Sequence, residues 1–169
     1  MKDQFRKLLI EEMQDLYDAE NQLVVTLPKI EKEMTSPNLK EAIHNHLRET
    51  KNQCTRLERA FTLLHVDPKR TPCKAMAGLL AEGDEAIKKH PKSALRDAAL
   101  IGACQKVEHY EIAGYGTVIA HARLIGEDAV ANLMQDTIDE EGAADKKLTK
   151  IAEGTLLKEG VNQKAVEVK

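Results

Sequence analysis

Glu108-His109-Tyr110-Glu111 lies inside the run from Ala98 to Ala122, among Ile101, Cys104, Val107, Ile112, Tyr115 and Val118. At helical spacing, positions 101, 104, 108, 111, 115 and 118 form one stripe. A helix buries such a stripe, so this one carries two carboxylates toward an apolar interior. A buried carboxylate needs a proton, a cationic partner or a metal.

The rest of the chain repeats the pattern. Residues 3–33 read as a helix with Leu9, Met13, Leu16, Glu20, Leu23 and Leu27 on one face, and Glu20 is the single charge there. Pro28 is expected to bend or loosen its last turns. A second helix covers about 37–64, with Pro37 suited to its first position. Its inner stripe is Leu39, Ile43, His46, Thr50, Gln53, Leu57, Ala60 and Leu64, with Glu49 at the edge. Asp67-Pro68 and Thr71-Pro72 mark a connection, followed by a shorter helix over 73–89. Ser93 can cap the helix over 94–124, which Gly126 stops. Its glycines at 102, 114 and 116 cost helix propensity and suit either close packing or room beside a site. The last long helix, about 127–153, carries Met134, Ile138, Glu141, Asp145, Leu148 and Ala152 on its stripe. No clear strand is visible. The residues from Val161 to Lys169 are expected to be mobile or to pair with a partner.

These elements make an all-α chain. Two helical hairpins are joined by a segment, residues 65–93, that is too long for a tight turn. It fits a long crossover carrying its own short helix between the second and third helices of a ferritin-like four-helix bundle. With 169 residues the chain suffices for one domain with a real core, about 3–153, and a tail over 154–169. Few aromatic residues and no Trp suit a bundle packed with aliphatic side chains.

Net charge is -3 with no basic block, so nucleic acid is not expected as a partner. No apolar run reaches the roughly 18 residues of a membrane span. The start of the chain, Met1-Lys-Asp-Gln-Phe5, lacks the apolar core of a signal peptide, which makes the cytoplasm the default compartment. Cys54, Cys73 and Cys104 are odd in number and widely spaced, which argues against a disulfide framework or thiolate zinc site. They read as reduced cysteines packed as small apolar groups.

The inward candidates are therefore Glu20, His46 and Glu49, Glu108 and Glu111, and Glu141 and Asp145, so that all four long helices contribute. The stripes hold no Lys or Arg. An isolated ionised carboxylate among them would cost several kcal/mol. A dinuclear divalent metal site removes the imbalance, and carboxylate oxygens with an imidazole suit iron or manganese. In four-helix bundles such a site takes one Glu from each of two helices and a Glu-x-x-His pair from each of the other two. Here the pattern is incomplete. The second helix has the reverse order, His46-Leu-Arg-Glu49, and the last has Ala144 three residues after Glu141. The site would be rich in carboxylate and poor in histidine. Spacing leaves open His46 or Gln53, and Glu108 or Glu111, as direct ligands. Taken singly, each Glu also fits a stripe edge that snorkels to water, and His46 fits a hydrogen-bonded core histidine. Tyr17 and Tyr115 stand one turn from Glu20 and Glu111 and suit either hydrogen bonds to ligands or simple packing. His109 faces away from the Glu108 stripe and reads as a surface or interface residue.

Asp15-Leu-Tyr-Asp-Ala-Glu20-Asn-Gln-Leu23, then His46-x-x-Glu49-Thr-x-x-Gln53, resemble the bacterial YciE/YciF stress-response family. So do Cys73-x-Ala-x-x-Gly78-Leu-x-x-Glu82-Gly83, Val107-Glu-His-Tyr-Glu-Ile-Ala113, and Glu140-Glu141 with Asp145. The resemblance covers about 3–153. It implies a ferritin-like fold, a dinuclear metal site and a homodimer. It matches Glu20, Glu49, Glu108 and Glu141 to the helix acids of that site, with His46, Glu111 and Asp145 as secondary members. The expected function is a stress-response protein with a dinuclear site, di-iron before manganese, that oxidises Fe(II) or consumes peroxide. The alternative is a non-enzymatic helical dimerising protein whose acid cluster is empty or occasionally occupied.

Overall fold

The computed structural model describes residues 2–155 and 157–167. Among the described residues six helices form: α1 (Lys2–Glu33), α2 (Pro37–Leu63), α3 (Lys74–Lys89), α4 (Ala94–Ile125), α5 (Asp128–Glu153) and α6 (Val161–Glu167). The four long ones, α1, α2, α4 and α5, make the bundle. α1 and α5 each pack against both α2 and α4.

Local chemistry sets the boundaries. Ser36 caps α2 by accepting from the Leu39 amide, with Pro37 at the first position where no amide is needed. Ser93 accepts from the Arg96 amide at the start of α4. Gly126 ends α4 at φ 86°, a left-handed conformation that costs glycine little. α1 continues through Pro28 to Glu33, with Leu27 and Ile30 buried on either side of it. Packing on that face holds the last turn although proline withholds one amide.

The helices alternate in direction within each hairpin. The turn at 34–36 reverses α1 into α2, and Arg6 near the start of α1 donates to the Leu64 carbonyl at the end of α2. α4 begins back at the 34–36 turn and so runs parallel to α2. The crossover spans the bundle's length to make this possible, with α3 packed on α4 and α1. This is the ferritin-like connectivity expected from the sequence.

Two buried aspartates fasten the crossover. Asp97 accepts from Thr35 N at 2.8 Å, Ser36 N at 2.7 Å and Thr35 Oγ1 at 2.6 Å. Asp18 accepts from Cys73 N at 2.8 Å, Arg70 Nε at 2.9 Å and Gln22 Nε2 at 2.7 Å. Burial alone would raise its carboxyl, yet these bonds hold it below the usual range. Cys73 is less inert than a small apolar filler. Its sulfur accepts from the Met76 amide and lies 2.9 Å from the Tyr110 hydroxyl, which in turn donates to Asp15. Cys54, Cys73 and Cys104 are all free thiols.

Every expected stripe position of α1, α2 and α4 is buried, whereas Ile138 and Asp145 of α5 are half-buried. The apolar core has two blocks. One joins Leu23, Leu27, Ile43, Ile101, Cys104 and Leu148; the other joins Met13, Leu16, Leu57, Phe61, Val118 and Met134. The acidic positions fall between the blocks on each helix.

Beyond α5 the chain does not trail away. Gly154–Thr155 and Lys158–Glu159 pair as a two-residue antiparallel hairpin, the strand that alternation in the sequence does not reveal. Gly154 takes φ 81° to make the turn. α6 follows and packs on α4 and α5, with Val161 buried. Where the sequence suggests a mobile or partner-bound tail, residues 161–167 are therefore helical and seated on their own chain; 168–169 lie outside the described residues. Among the described residues, no helix is long and apolar enough to cross a membrane.

Candidate metal centre

The layer between the two apolar blocks contains Glu20 from α1, His46 from α2, Glu108 and Glu111 from α4, and Glu141 from α5. All five are at most 4% exposed. His46, Glu108, Glu111 and Glu141 each offer one nitrogen or oxygen, and these four atoms lie within 4.8 Å of one another. His46 Nε2 is 3.5 Å from Glu108 Oε1 and 4.0 Å from Glu141 Oε2. Helical spacing explains the gathering: three residues separate Glu108 from Glu111, so both point off one face of α4 into the space that α2 and α5 enclose.

Most of these polar atoms have nothing to bond. Glu20 Oε2, Glu108 Oε2, Glu141 Oε2, both oxygens of Glu111 and both ring nitrogens of His46 are buried without a hydrogen-bond partner. Burial pushes the carboxyls of Glu20, Glu108 and Glu111 well above their ordinary range, and their mutual repulsion with Glu141 pushes them further. A set of several oxygens and one imidazole, desolvated and mutually repelling, suits a hard divalent cation and could hold a metal.

Surrounding groups already orient part of the set. Tyr115, fully buried, donates its hydroxyl to Glu20 Oε1. That bond crosses from α4 to α1; one-turn spacing on α4 had suggested Glu111 instead. Gln53 donates to Glu141 and, at 3.0 Å, to Glu140 Oε2. Arg56 grips Glu140 with two bonds of 2.9 and 3.0 Å and donates to Thr137 Oγ1 at 2.7 Å. The stripes hold no Lys or Arg, yet Arg56, just off the α2 stripe, brings a mostly buried cation to the edge of the layer and tempers the charge at Glu20.

Two of the seven expected residues stand at the rim. The Glu49 side chain is 39% exposed, with Oε2 3.6 Å from His46 Nδ1, and the imidazole holds its carboxyl below the ordinary value. Asp145 is half-buried, accepts from Gln105 Nε2 at 2.9 Å, and has Oδ1 3.4 Å from His109 Nε2. His109 is 69% exposed, as a surface residue should be. Tyr17 points away from the layer and donates to Glu58 Oε1 at 2.7 Å. The sequence reading gave Asp97, Asp18 and Arg56 no role. Asp97 stands one turn before Ile101 on the same stripe, so extending that stripe backward would have found it. Periodicity gives Arg56 no such signal, since it is a charged residue at the edge of an apolar face.

Comparison with known proteins places this arrangement in a family. The family described as "Domain of unknown function (DUF892)" matches residues 4–165. Protein YciF of Escherichia coli (strain K12) is 41% identical over 152 residues, which is 89% of this chain and 92% of that protein. The crystal structure of the E. coli stress protein YciF superposes with a TM-score of 0.83 at 41% identity, covering 86% of this chain and 92% of that one. YcfI of Rhodopseudomonas palustris gives a TM-score of 0.85 at 38% identity, covering 88% and 94%. A protein of Xanthomonas campestris pv. campestris, 23% identical with a TM-score of 0.67 over 86% of this chain and 89% of its own, shares the fold. With the profile spanning nearly its whole length and a close relative in YciF, the chain belongs to the DUF892 family.

Proposed function

We propose that this chain is a stress-response protein whose buried layer binds a dinuclear metal centre, iron before manganese, and that it oxidises Fe(II) or consumes peroxide. The observation that carries this reading is the group of buried, unpartnered atoms on His46, Glu108, Glu111 and Glu141, joined by Glu20. Leaving them ionised without a cation costs several kcal/mol. Glu20, Glu108, Glu111, Glu141 and His46 would hold the metals, with Glu49 and Asp145 as rim residues able to join them. Bound iron would supply electrons to oxygen or peroxide. The protein's part is to hold the ligands, limit water through the apolar blocks on either side, and fix Glu20 and Glu141 through Tyr115 and Gln53. The stress role follows the description of YciF as a stress protein. A homodimer, on the strength of the family resemblance, in the cytoplasm as the default compartment, completes the reading.

A second reading has its own support. Burial and mutual repulsion favour the protonated forms of Glu20, Glu108 and Glu111, and protonated core acids need no metal. In that case the protein is a helical dimerising protein whose cluster is empty or holds an occasional cation.

Metal content decides between them. Protein grown with iron and manganese available should carry about two ions per chain, lost in the Glu20→Ala, Glu108→Ala double variant. Iron-loaded protein should then oxidise added Fe(II) faster than buffer does. No metal in wild type or variant, with the variant folded and more stable, overturns the metal reading; metal without Fe(II) oxidation or peroxide consumption overturns the enzymatic one.

A further inference from the structure

A cleft of about 350 Å³ opens between α2 and α5 and reaches His46 and Glu108. At its deep end stand polar atoms that nothing satisfies: both ring nitrogens of His46 and Oε2 of Glu108, on residues 4% and 2% exposed. Its walls are largely alkyl, with Ile43, Ala144 and Leu148 among them, and Lys147 is the single cation along it. On the α3 side of the same His46 and Glu108 the free space is only about 20 Å³, walled by residues such as Leu79 and Leu80. Of these two approaches to the layer, the one between α2 and α5 is the roomy one.

The room has a cause in the sequence. Ala144 sits three residues after Glu141, where dinuclear bundles place a histidine. A methyl in place of an imidazole removes one donor and empties the space that donor would fill. The resulting volume far exceeds an ion, a peroxide or a single water, which occupies about 30 Å³ in the liquid. It lies in the range of small-molecule sites, roughly 300–1,000 Å³. Glu49, Asp139 and Glu140 along the cleft disfavour a highly anionic guest.

We propose that this cleft binds a small organic molecule with one oxygen-donor head and an apolar body. The head faces His46 and Glu108, and the body lies along Ile43, Ala144 and Leu148. The inference rests on the metal-binding reading and adds to it a class of ligand.

The test uses full-length protein loaded with Co(II), its visible spectrum reporting ligand binding, and two probes, acetohydroxamate and hexanohydroxamate. They share a head; the second adds four methylenes, each worth about fourfold in affinity when fully buried. Hexanohydroxamate should bind at least about tenfold tighter. Ala144→Phe and, separately, Ala143→Phe should keep the cobalt content and the melting temperature and erase that preference. Absence of bound cobalt overturns the metal reading and this proposal with it. Bound cobalt with equal affinity for the two probes, or a preference that survives both substitutions, overturns this proposal alone. Affinity that falls as protein concentration rises identifies a second copy as the occupant and overturns it as well.

Discussion

Tyr115 and Glu20, on helices α4 and α1, meet by a hydrogen bond of 2.5 Å from the phenol to Glu20 Oε1 in the fully buried layer between the two apolar blocks. Burial and the neighbouring acids push the tyrosine's ionisation well above its ordinary range, so it remains a donor throughout the working pH. Tyr115→Phe preserves the ring and removes the one bond Glu20 makes. It should destabilise the metal-free protein by about 1–3 kcal/mol. Urea unfolding measures this; an unchanged midpoint would mean that the bond contributes nothing net.

Asp97 should matter as much, although it is far from the acidic layer. Its carboxylate takes three bonds from Thr35 and Ser36 and ties the start of α4 to the α1–α2 turn. Asp97→Ala leaves two amides and a hydroxyl without that acceptor and should cost about 3 kcal/mol or more. Asp97→Asn keeps one acceptor oxygen and should cost roughly half as much. Equal losses in the two variants, compared by denaturant midpoint, would contradict this account.

The raised carboxyls give the metal-free protein a pH dependence of definite sign. Glu20, Glu108 and Glu111 are pushed above the ordinary 4.5. Below 4.5 they are protonated whether folded or not, so their contribution is fully present. As pH rises above that value, the unfolded chain releases protons that the folded chain retains, and stability is lost until the folded-state ionisation is passed. Glu111→Gln removes one such group. The stability difference, wild type minus variant, should fall with rising pH above 4.5, by up to about 1.4 kcal/mol per pH unit. Saturating Mn(II) should flatten the wild-type slope. Parallel pH profiles for wild type and variant would defeat the prediction.

Glycines in one helix should respond differently to the same change. A Cβ on Gly102 meets nothing within 4 Å, whereas one on Gly114 would come within 2.7 Å of Leu16 Cδ2. Leu16 is 2% exposed and has little freedom to retreat. Gly102→Ala should raise stability by about 0.5–1 kcal/mol through helix propensity. Gly114→Ala should lower it by about 1–2 kcal/mol after the same propensity gain is offset by overpacking. Thermal melts of the two variants should move in opposite directions.

Much of the architecture could be read before any coordinates, because a helix turns periodicity into geometry. Residues three and four apart must share a face, so the stripes of α1, α2 and α4, and the acids interrupting them, follow from spacing. The length of the 65–93 connection likewise implied a crossover between parallel helices. Periodicity is blind to what depends on contact between helices. It put Glu49, at a stripe's edge, and Asp145, on a stripe, with the other acids, and the packing of α2 and α5 leaves both at the rim. It paired Tyr115 with the nearest acid along its own helix, while the phenol's length carries it across to α1. The alanine at 144 was visible as a missing ligand; that the missing side chain leaves a cleft depends on how α2 and α5 pack. The fold class, the stripes and the candidate acids are thus properties of the chain's repeat. Which atoms meet, which stay unpartnered and where the layer opens are properties of packing, set by side-chain lengths and interhelical distances that no linear pattern encodes.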